Sequence, residues 1–455
     1  MKSRLLFLVA SASVLAATAH AAGKLVAGPM LGYAAHRETF IWVETRDARR
    51  VALDYWLAGK PETKQTIEKD RLRETIVGGQ ISHFRPGLLE PGAHYEYSLS
   101  VDGVKQTFPY PLTFQTLPLW EWRTSPPDFR FIFGTCAYLN EPAYDRPGQP
   151  YGRTLETFRH MADSGADFML WGGDNWYYRE ADFDSISGLW HRAQHDRAQP
   201  AYQKLFAVMN HYATWDDHDY GSDDSNKGFE FKDETLRIFK AYWGNPGYGE
   251  ADNPGVYHKF FWGDAAFFVM DNRSYRDDDY LGSTDTREMK TQYGARQRDW
   301  LKQSLLAVQR LGHFTFKFIV TGGQVITDFG GRTETFAYFQ AEREELLKFI
   351  KEHHITGVIF LSGDVHFTEL AREKLTDTQW VYELTSSPLS AGETKFGQGE
   401  RARDPHRVEG TAVDDQNFSL LSIHGPKNDR EITITCIDKQ GVKRWEQTIK
   451  AAELK

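Results

Sequence analysis

Four short apolar runs, each stopping at a cluster of metal-competent side chains, constrain this chain more than any other feature of its sequence. Phe131-Ile132-Phe133 runs into Gly134-Thr135-Cys136, and Asp167-Phe168-Met169-Leu170-Trp171 stops at Gly172-Gly173-Asp174. Tyr212-Ala213-Thr214 leads into Trp215-Asp216-Asp217-His218-Asp219, and Gly357-Val358-Ile359-Phe360-Leu361 ends in Ser362-Gly363-Asp364-Val365-His366. Runs of this kind read as strands buried on both faces, and open α/β sheets bind ligands at the carboxyl ends of their strands. Glycine there lets the backbone turn sharply and approach a ligand closely. A single Asp after a strand commonly caps a helix. Four such clusters in one chain point instead to a shared site. The row Asp216-Asp217-His218-Asp219 repels itself unless it is solvated or holds cations. A solvated acidic loop, extended by Asp223-Asp224, is the alternative; Trp215 argues that the row starts at the end of a buried strand.

Around these clusters the pattern alternates between strand and helix. Thr154–Ser164, Glu234–Trp243, Arg296–Arg310 and Gln340–His353 have helical spacing; Val256–Trp262, Ala265–Met270 and Phe314–Val320 read as strands. Beyond these the chain is β-rich and ends in a hairpin around Asp438-Lys439-Gln440-Gly441. This is an α/β catalytic domain over residues 128–455. Residues 23–118 differ. Phe40-Ile41-Trp42-Val43, Val51–Trp56 and Leu112–Thr116 are β-prone runs with no helical period, which predicts an all-β sandwich. Its Gly87-Leu88-Leu89-Glu90-Pro91-Gly92-Ala93-His94-Tyr95 segment resembles fibronectin type III domains. Pro126-Pro127 stiffens the linker between the two.

Lys2 and Arg4, the apolar run Leu5–Ala17 and Ala19-His20-Ala21 have the layout of a secretory signal peptide over residues 1–21, too short to span a membrane. The expected location is therefore secreted or periplasmic, and no later stretch predicts a transmembrane helix. Net charge is −9, or −11 without Lys2 and Arg4. That excludes a broad nucleic-acid or anionic-membrane surface, but not an anionic substrate, because bound cations invert the local field. With only two cysteines, an exported chain forms either one disulfide, Cys136–Cys436, or none. Cys436 sits in the alternating run Ile432–Ile437, which suits a core position.

The ordered set Cys136, Gly173-Asp174-x-x-Tyr177, Trp215-Asp216-Asp217-His218-Asp219 and Gly363-Asp364-Val365-His366 resembles the alkaline phosphatase D family, within the calcineurin-like metallophosphoesterases. Asp271-Asn272-Arg273-Ser274-Tyr275-Arg276 and Gly322-Gly323-Gln324-Val325 match further family segments. The resemblance implies a two-sheet metallophosphoesterase sandwich flanked by helices, behind the fibronectin III-like domain. It also implies Fe(III) and calcium, with another divalent metal as the alternative to calcium. Asp174 would bridge the metals, Cys136 as thiolate and Tyr177 as phenolate would bind the ferric ion, and Asp217 the second metal. Asp364 and His366 would complete the site, and Asp216 is either a ligand or an orienting partner. His218 would contact phosphate or protonate the leaving oxygen; Arg273 would hold phosphate oxygens, with Gln324 also on the substrate. The residues themselves leave Tyr177 open to a core role and Arg273 to an ion pair. Cys136 replaces the Asp-x-His that opens most calcineurin-like enzymes, and Trp176 and Tyr178 depart from the common family sequence beside Tyr177.

The chemistry implied is hydrolysis of phosphomonoesters or phosphodiesters by a water acidified between two cations, in a protein acting on small phosphate esters as a monomer. The alternatives are a phospholipase D-like enzyme of the same family and, in a different class, a non-catalytic extracellular binding protein. Cysteine nucleophilic catalysis is disfavoured because Cys136 lacks a surrounding phosphate loop with an arginine.

Overall fold

The computed structural model describes residues 23–281, 290–327, 334–395 and 404–455. The signal peptide expected over residues 1–21 lies outside them.

Alternation of side chains along the buried strands builds a four-layer core. In Phe129–Gly134, Phe131 and Phe133 point one way and Ile132 the other; in Ala265–Val269, Phe267 faces opposite to Phe268. The inward set from two sheets meets in one aromatic core. Phe131 stacks on Phe168 at 5.0 Å and meets the edges of Phe267 and Phe318, each at 5.3 Å. The outward sets are covered by helices: Glu156–Asp163, Ile186–Arg197, Pro200–Val208 and Lys232–Tyr242 on one side, Gly294–Leu311 and Gln340–Glu352 on the other.

The larger sheet has nine strands, in the order Lys443–Lys450, Glu431–Asp438, Asn417–His424, Phe129–Gly134, Phe168–Trp171, Asn210–Ala213, Lys24–Ala34, Thr39–Arg46 and Gln80–Phe84. The facing sheet has six: His258–Trp262, Ala265–Val269, Phe316–Val320, Val358–Ser362, Trp380–Thr385 and Glu369–Lys374. Four adjacent strands of the first and four of the second are parallel. Parallel neighbours end together, so the C-terminal loops of the core strands gather at one edge of the sandwich.

The amino-terminal region is a sandwich, as expected, but one of its layers belongs to the large sheet. Lys24–Ala34, Thr39–Arg46 and Gln80–Phe84 pack on the layer of Val51–Leu57, Gln65–Lys69, His94–Val101, Val104–Lys105 and Thr113–Gln115. The same three strands extend the nine-stranded sheet, with Leu31 registered parallel to Asn210. The boundary between residues 118 and 128 therefore divides the chain but not the sheet.

Helices Ile186–Arg197 and Pro200–Val208 were not expected from spacing. The first has no apolar stripe because it buries charge. Arg192 pairs with Asp182 at 2.8 Å, Glu141 at 2.8 Å and Asp196 at 3.4 Å. The cysteine question also closes: Cys136 and Cys436 are both buried free thiols. Among the described residues no helix is long and apolar enough to cross a membrane.

Candidate metal centre

Backbone strain marks the place where the strand ends converge. Cys136, Asp174, Asp364 and His366 have φ of 62°, 54°, 68° and 59°, in the left-handed region that costs a non-glycine residue about 1–2 kcal/mol. Each directly follows a core strand by a few residues, and the bend turns its side chain toward the same space. The two sheets can close only because glycines line the contact. A Cβ on Gly363 would lie 2.3 Å from the Thr135 side chain, and one on Gly322 would lie 2.2 Å from Asp216 Oδ2.

Asp219 then ties two of the loops together. Its carboxylate accepts the backbone N–H of Asp174 at 2.7 Å, Asn175 at 2.8 Å and Asp216 at 2.9 Å, plus the Asn175 amide at 2.6 Å. The sequence contained Asp219 in the acidic row without revealing this brace. Asp271 plays a comparable part, accepting from the Trp215 indole at 2.8 Å.

Ligand-competent atoms fall into overlapping groups, each with its atoms within 4.8 Å of one another. One joins Cys136, Asp174 and His366; another joins Asp174, Asp217 and His218; a third joins Asp216, Asp217 and Asp364. Tyr177 belongs beside the first, its hydroxyl donating to Asp174 Oδ2 at 3.0 Å and lying 3.2 Å from His366 Nε2. Cys136 Sγ is 3.5 Å from Asp174 Oδ2, and the Ser387 hydroxyl donates to that sulfur at 3.0 Å. The expected pair of the last motif is thus split: His366 faces the sulfur and phenol, Asp364 faces the carboxylates.

The electrostatics require compensation. Burial, and then the neighbouring carboxylates, push Asp174 and Asp364 well above the usual carboxylate range. Burial pushes Asp217 up to about 7 and Asp216 to about 6, with Arg273 pulling both down. Burial also raises the Cys136 thiol and the Tyr177 phenol, and pulls His218 down to about 4. Several buried atoms have no hydrogen-bond partner: Asp174 Oδ1, Asp216 Oδ2, Asp217 Oδ1, His218 Nδ1 and Asn272 Oδ1. Unpaired buried acceptors at this density are unstable without cations, so the donor set fits metal ions: sulfur, phenol, imidazole and carboxylate on one side, oxygen on the other.

Two expected substrate contacts lie elsewhere. Arg273 is fully buried behind the cluster, with Nε 2.5 Å from Asp216 and Nη1 2.7 Å from Glu334. It serves as a counter-charge to three carboxylates, Asp217 being the third at 3.5 Å, and does not line the cavity over the site. Gln324 is also buried; its amide donates to Glu369 and to the Thr385 hydroxyl, both at 2.9 Å, in a network within the smaller sheet. Asp216 accepts from Asn272 Nδ2 at 2.7 Å while its other oxygen faces the cluster unpaired, so it both orients and is free to ligate. His218 lies against Tyr177, the rings tilted by 34° with centroids 4.1 Å apart, and does reach the cavity. That cavity, about 290 Å³, is lined by Asp174, Asp217, His218, Glu334, Asp364 and His366, with Asp223, Asp224 and Tyr151 at its sides. Glu334, Asp224 and Tyr151 come from loops that carry no strand-end signal in the sequence.

Known proteins are similar to this chain in sequence and in fold. A family model described as PhoD-like phosphatase matches residues 144–426, and a domain family of unknown function matches residues 22–117. Alkaline phosphatase D of Bacillus subtilis (strain 168) is 23% identical over 334 residues, which are 61% of this chain and 54% of that protein. The chain thus spans about half the length of this curated relative. The solved structure of PhoD superimposes with a TM-score of 0.72 at 15% identity, covering 92% of this chain and 91% of the other. Purple acid phosphatase PPD1 from yellow lupin (Lupinus luteus) seeds gives 0.64 at 11% identity, covering 93% and 74%. At such identities the superpositions speak for the fold alone. The family match covers more than half of the sequence and takes in Asp174, Asp217, Asp364 and His366; the chain belongs to the PhoD-like phosphatase family.

Proposed function

We propose that this protein is an exported hydrolase of phosphate esters that uses two adjacent cations. One observation carries the reading: Asp174 belongs both to the group with Cys136 and His366 and to the group with Asp217 and His218. A carboxylate shared between two neighbouring donor sets is what a bridging ligand requires. The sulfur and phenol beside Asp174 suit a ferric ion, and the all-carboxylate group of Asp216, Asp217 and Asp364 suits calcium or a similar hard cation. Bound there, the cations would supply an acidified water as nucleophile and neutralise charge on the equatorial phosphate oxygens.

The chain's own part is positional. Asp174, Asp217 and Asp364 hold the charge centres at the floor of the cavity, and Asp219 keeps their loops in register. His218, open to the cavity and held neutral by burial, is placed to donate a hydrogen bond from its ring N–H to the departing ester oxygen. Arg273 favours the ionised forms of Asp216 and Asp217 from behind, against the effect of burial, a task different from gripping phosphate.

A phosphatase or phosphodiesterase is favoured over a phospholipase D-like enzyme. The cavity over the site is walled by carboxylates, histidines and tyrosines, with Val365 its one aliphatic lining residue among those described. Among the described residues that line it, none besides Val365 offers an aliphatic surface for acyl chains. The test is a panel of phosphomonoesters, phosphodiesters and phospholipids on metal-quantified protein. Turnover of the soluble esters with no phospholipid cleavage is expected. Phospholipid cleavage alone would reverse the choice, and turnover of none would leave the non-catalytic reading.

A further inference from the structure

A second cavity, about 480 Å³, adjoins the acidic one and shares Tyr151, His218 and Asp223 with it. Its character is different. Tyr138, Tyr144, Tyr151, Tyr177, Tyr178 and Phe183 supply six aromatic side chains, and Arg146 and Arg179 stand among them. The tyrosines form a joined cluster. Tyr138 meets Tyr151 edge-on at 5.0 Å and Tyr177 at 5.1 Å, while Tyr151 and Tyr177 are 6.2 Å apart. Arg179 fixes the cluster from below. Its guanidinium lies 3.8 Å from the centre of the Tyr138 ring and pairs with Asp145 at 2.9 Å, so it is held rather than free.

The inner end of this cavity is the Tyr177–His218 ring pair, and His218 also belongs to the metal-competent cluster. Tyr151 closes the seam, its hydroxyl 3.2 Å from His366 Nδ1. A phosphorus centred over Asp174 and Asp217 would therefore have one ester oxygen near His218, with its substituent leading into the aromatic cavity. Six aromatic side chains around a space of this size match flat, polarisable groups, through offset and edge-to-face contacts. They match acyl chains poorly, since Asp145, Glu180, Ser222 and Asp223 interrupt the wall.

We propose that the cavity between Tyr138, Tyr144, Tyr151 and Phe183 is the subsite for a planar aromatic or heteroaromatic group on the ester oxygen of the substrate. This rests on the phosphoesterase reading and narrows it to aryl-bearing esters, nucleoside phosphates included. Tyr144 is its specificity-determining residue best suited to test. It lines the cavity at the outer end, is 48% exposed, and contacts none of the metal-competent side chains named above, so its loss leaves the fold and the cluster intact.

The experiment measures binding of phenylphosphonate and methylphosphonate to the metal-loaded full-length protein by calorimetry, for wild type, Tyr144→Ala and Tyr144→Phe. Phenylphosphonate is expected to bind wild type about tenfold tighter than methylphosphonate. The preference should shrink at least about threefold in Tyr144→Ala and persist in Tyr144→Phe, with methylphosphonate affinity constant throughout. Equal affinities in wild type, or a preference unaltered by Tyr144→Ala, would overturn the subsite. Hydrolysis of bis(4-nitrophenyl) phosphate by the same wild-type sample separates the two readings: turnover without an aryl preference removes the subsite alone, and absence of turnover removes the phosphoesterase reading beneath it.

Discussion

The Cys136 sulfur lies 3.5 Å from Oδ2 of Asp174, on the side of that carboxylate facing Tyr177 and His366, while Asp217 and His218 gather on the other. This relationship makes one side of the cluster sulfur-rich and leaves the other to oxygen. Iron held there would absorb visible light by charge transfer from sulfur and phenolate. Cys136→Ser is expected to remove the sulfur-borne band and Tyr177→Phe to weaken what is left. Spectra unchanged in both variants, on protein with quantified iron, would place the iron elsewhere.

His218 is expected to matter in proportion to the basicity of the leaving group. A ring N–H hydrogen-bonded to the departing oxygen helps an alkoxide far more than a nitrophenolate, and removing one such donor costs about 10²-fold or more. His218→Ala should lower kcat about 10²-fold on alkyl phosphate esters and much less on 4-nitrophenyl esters. Equal losses on both would assign His218 to phosphate binding instead.

Arg273 offers a test that separates structure from substrate binding. Removing one partner from a buried charge network leaves the rest uncompensated, at a cost of about 3–5 kcal/mol. Arg273→Ala should therefore lower the urea midpoint sharply in chelator-treated protein, where Asp216 and Asp217 have lost their arginine and Glu334 keeps, among the described residues, only Arg276, at 4.0 Å. Added metal should restore part of the loss. A raised KM with stability unchanged would mean that the guanidinium reaches substrate after all.

Much of this was legible at the strand ends. Gly173-Asp174 and Gly363-Asp364 follow apolar runs whose strand character needs no tertiary context, and the structure puts both aspartates at one edge. Loop residues were illegible for the opposite reason. Glu334 meets Arg273 only because two strands bring their loops together, and nothing local announces that. Helix Ile186–Arg197 was hidden because Arg192, Asp196 and Arg197 are buried, which removes the apolar stripe that spacing detects. The shared sheet was hidden too: strand Lys24–Ala34 pairs with Asn210–Ala213, Leu31 opposite Asn210 from far along the chain, a long-range register that composition does not encode.

That seam carries a pH-dependent stability of its own. Glu44, in strand Thr39–Arg46, is buried; Gln194 donates to one of its oxygens and the other has no hydrogen-bond partner. Burial pushes its carboxyl up to about 7. A folded-state pKa above the unfolded value favours folding at low pH, and that contribution is lost as pH rises through about 7. Glu44→Gln keeps the shape without the charge. Its gain in stability over wild type should grow from about pH 5 to about pH 8, reaching up to about 3 kcal/mol. A gain independent of pH would refute the assignment.

The central claim is that Asp174 joins two cations at the catalytic centre, and its most direct test is the hydrolysis rate of bis(4-nitrophenyl) phosphate by Asp174→Ala beside wild type, both folded and metal-supplemented. Loss of the bridge should lower kcat by about 10³-fold or more. A variant turning over within about tenfold of wild type would contradict the account.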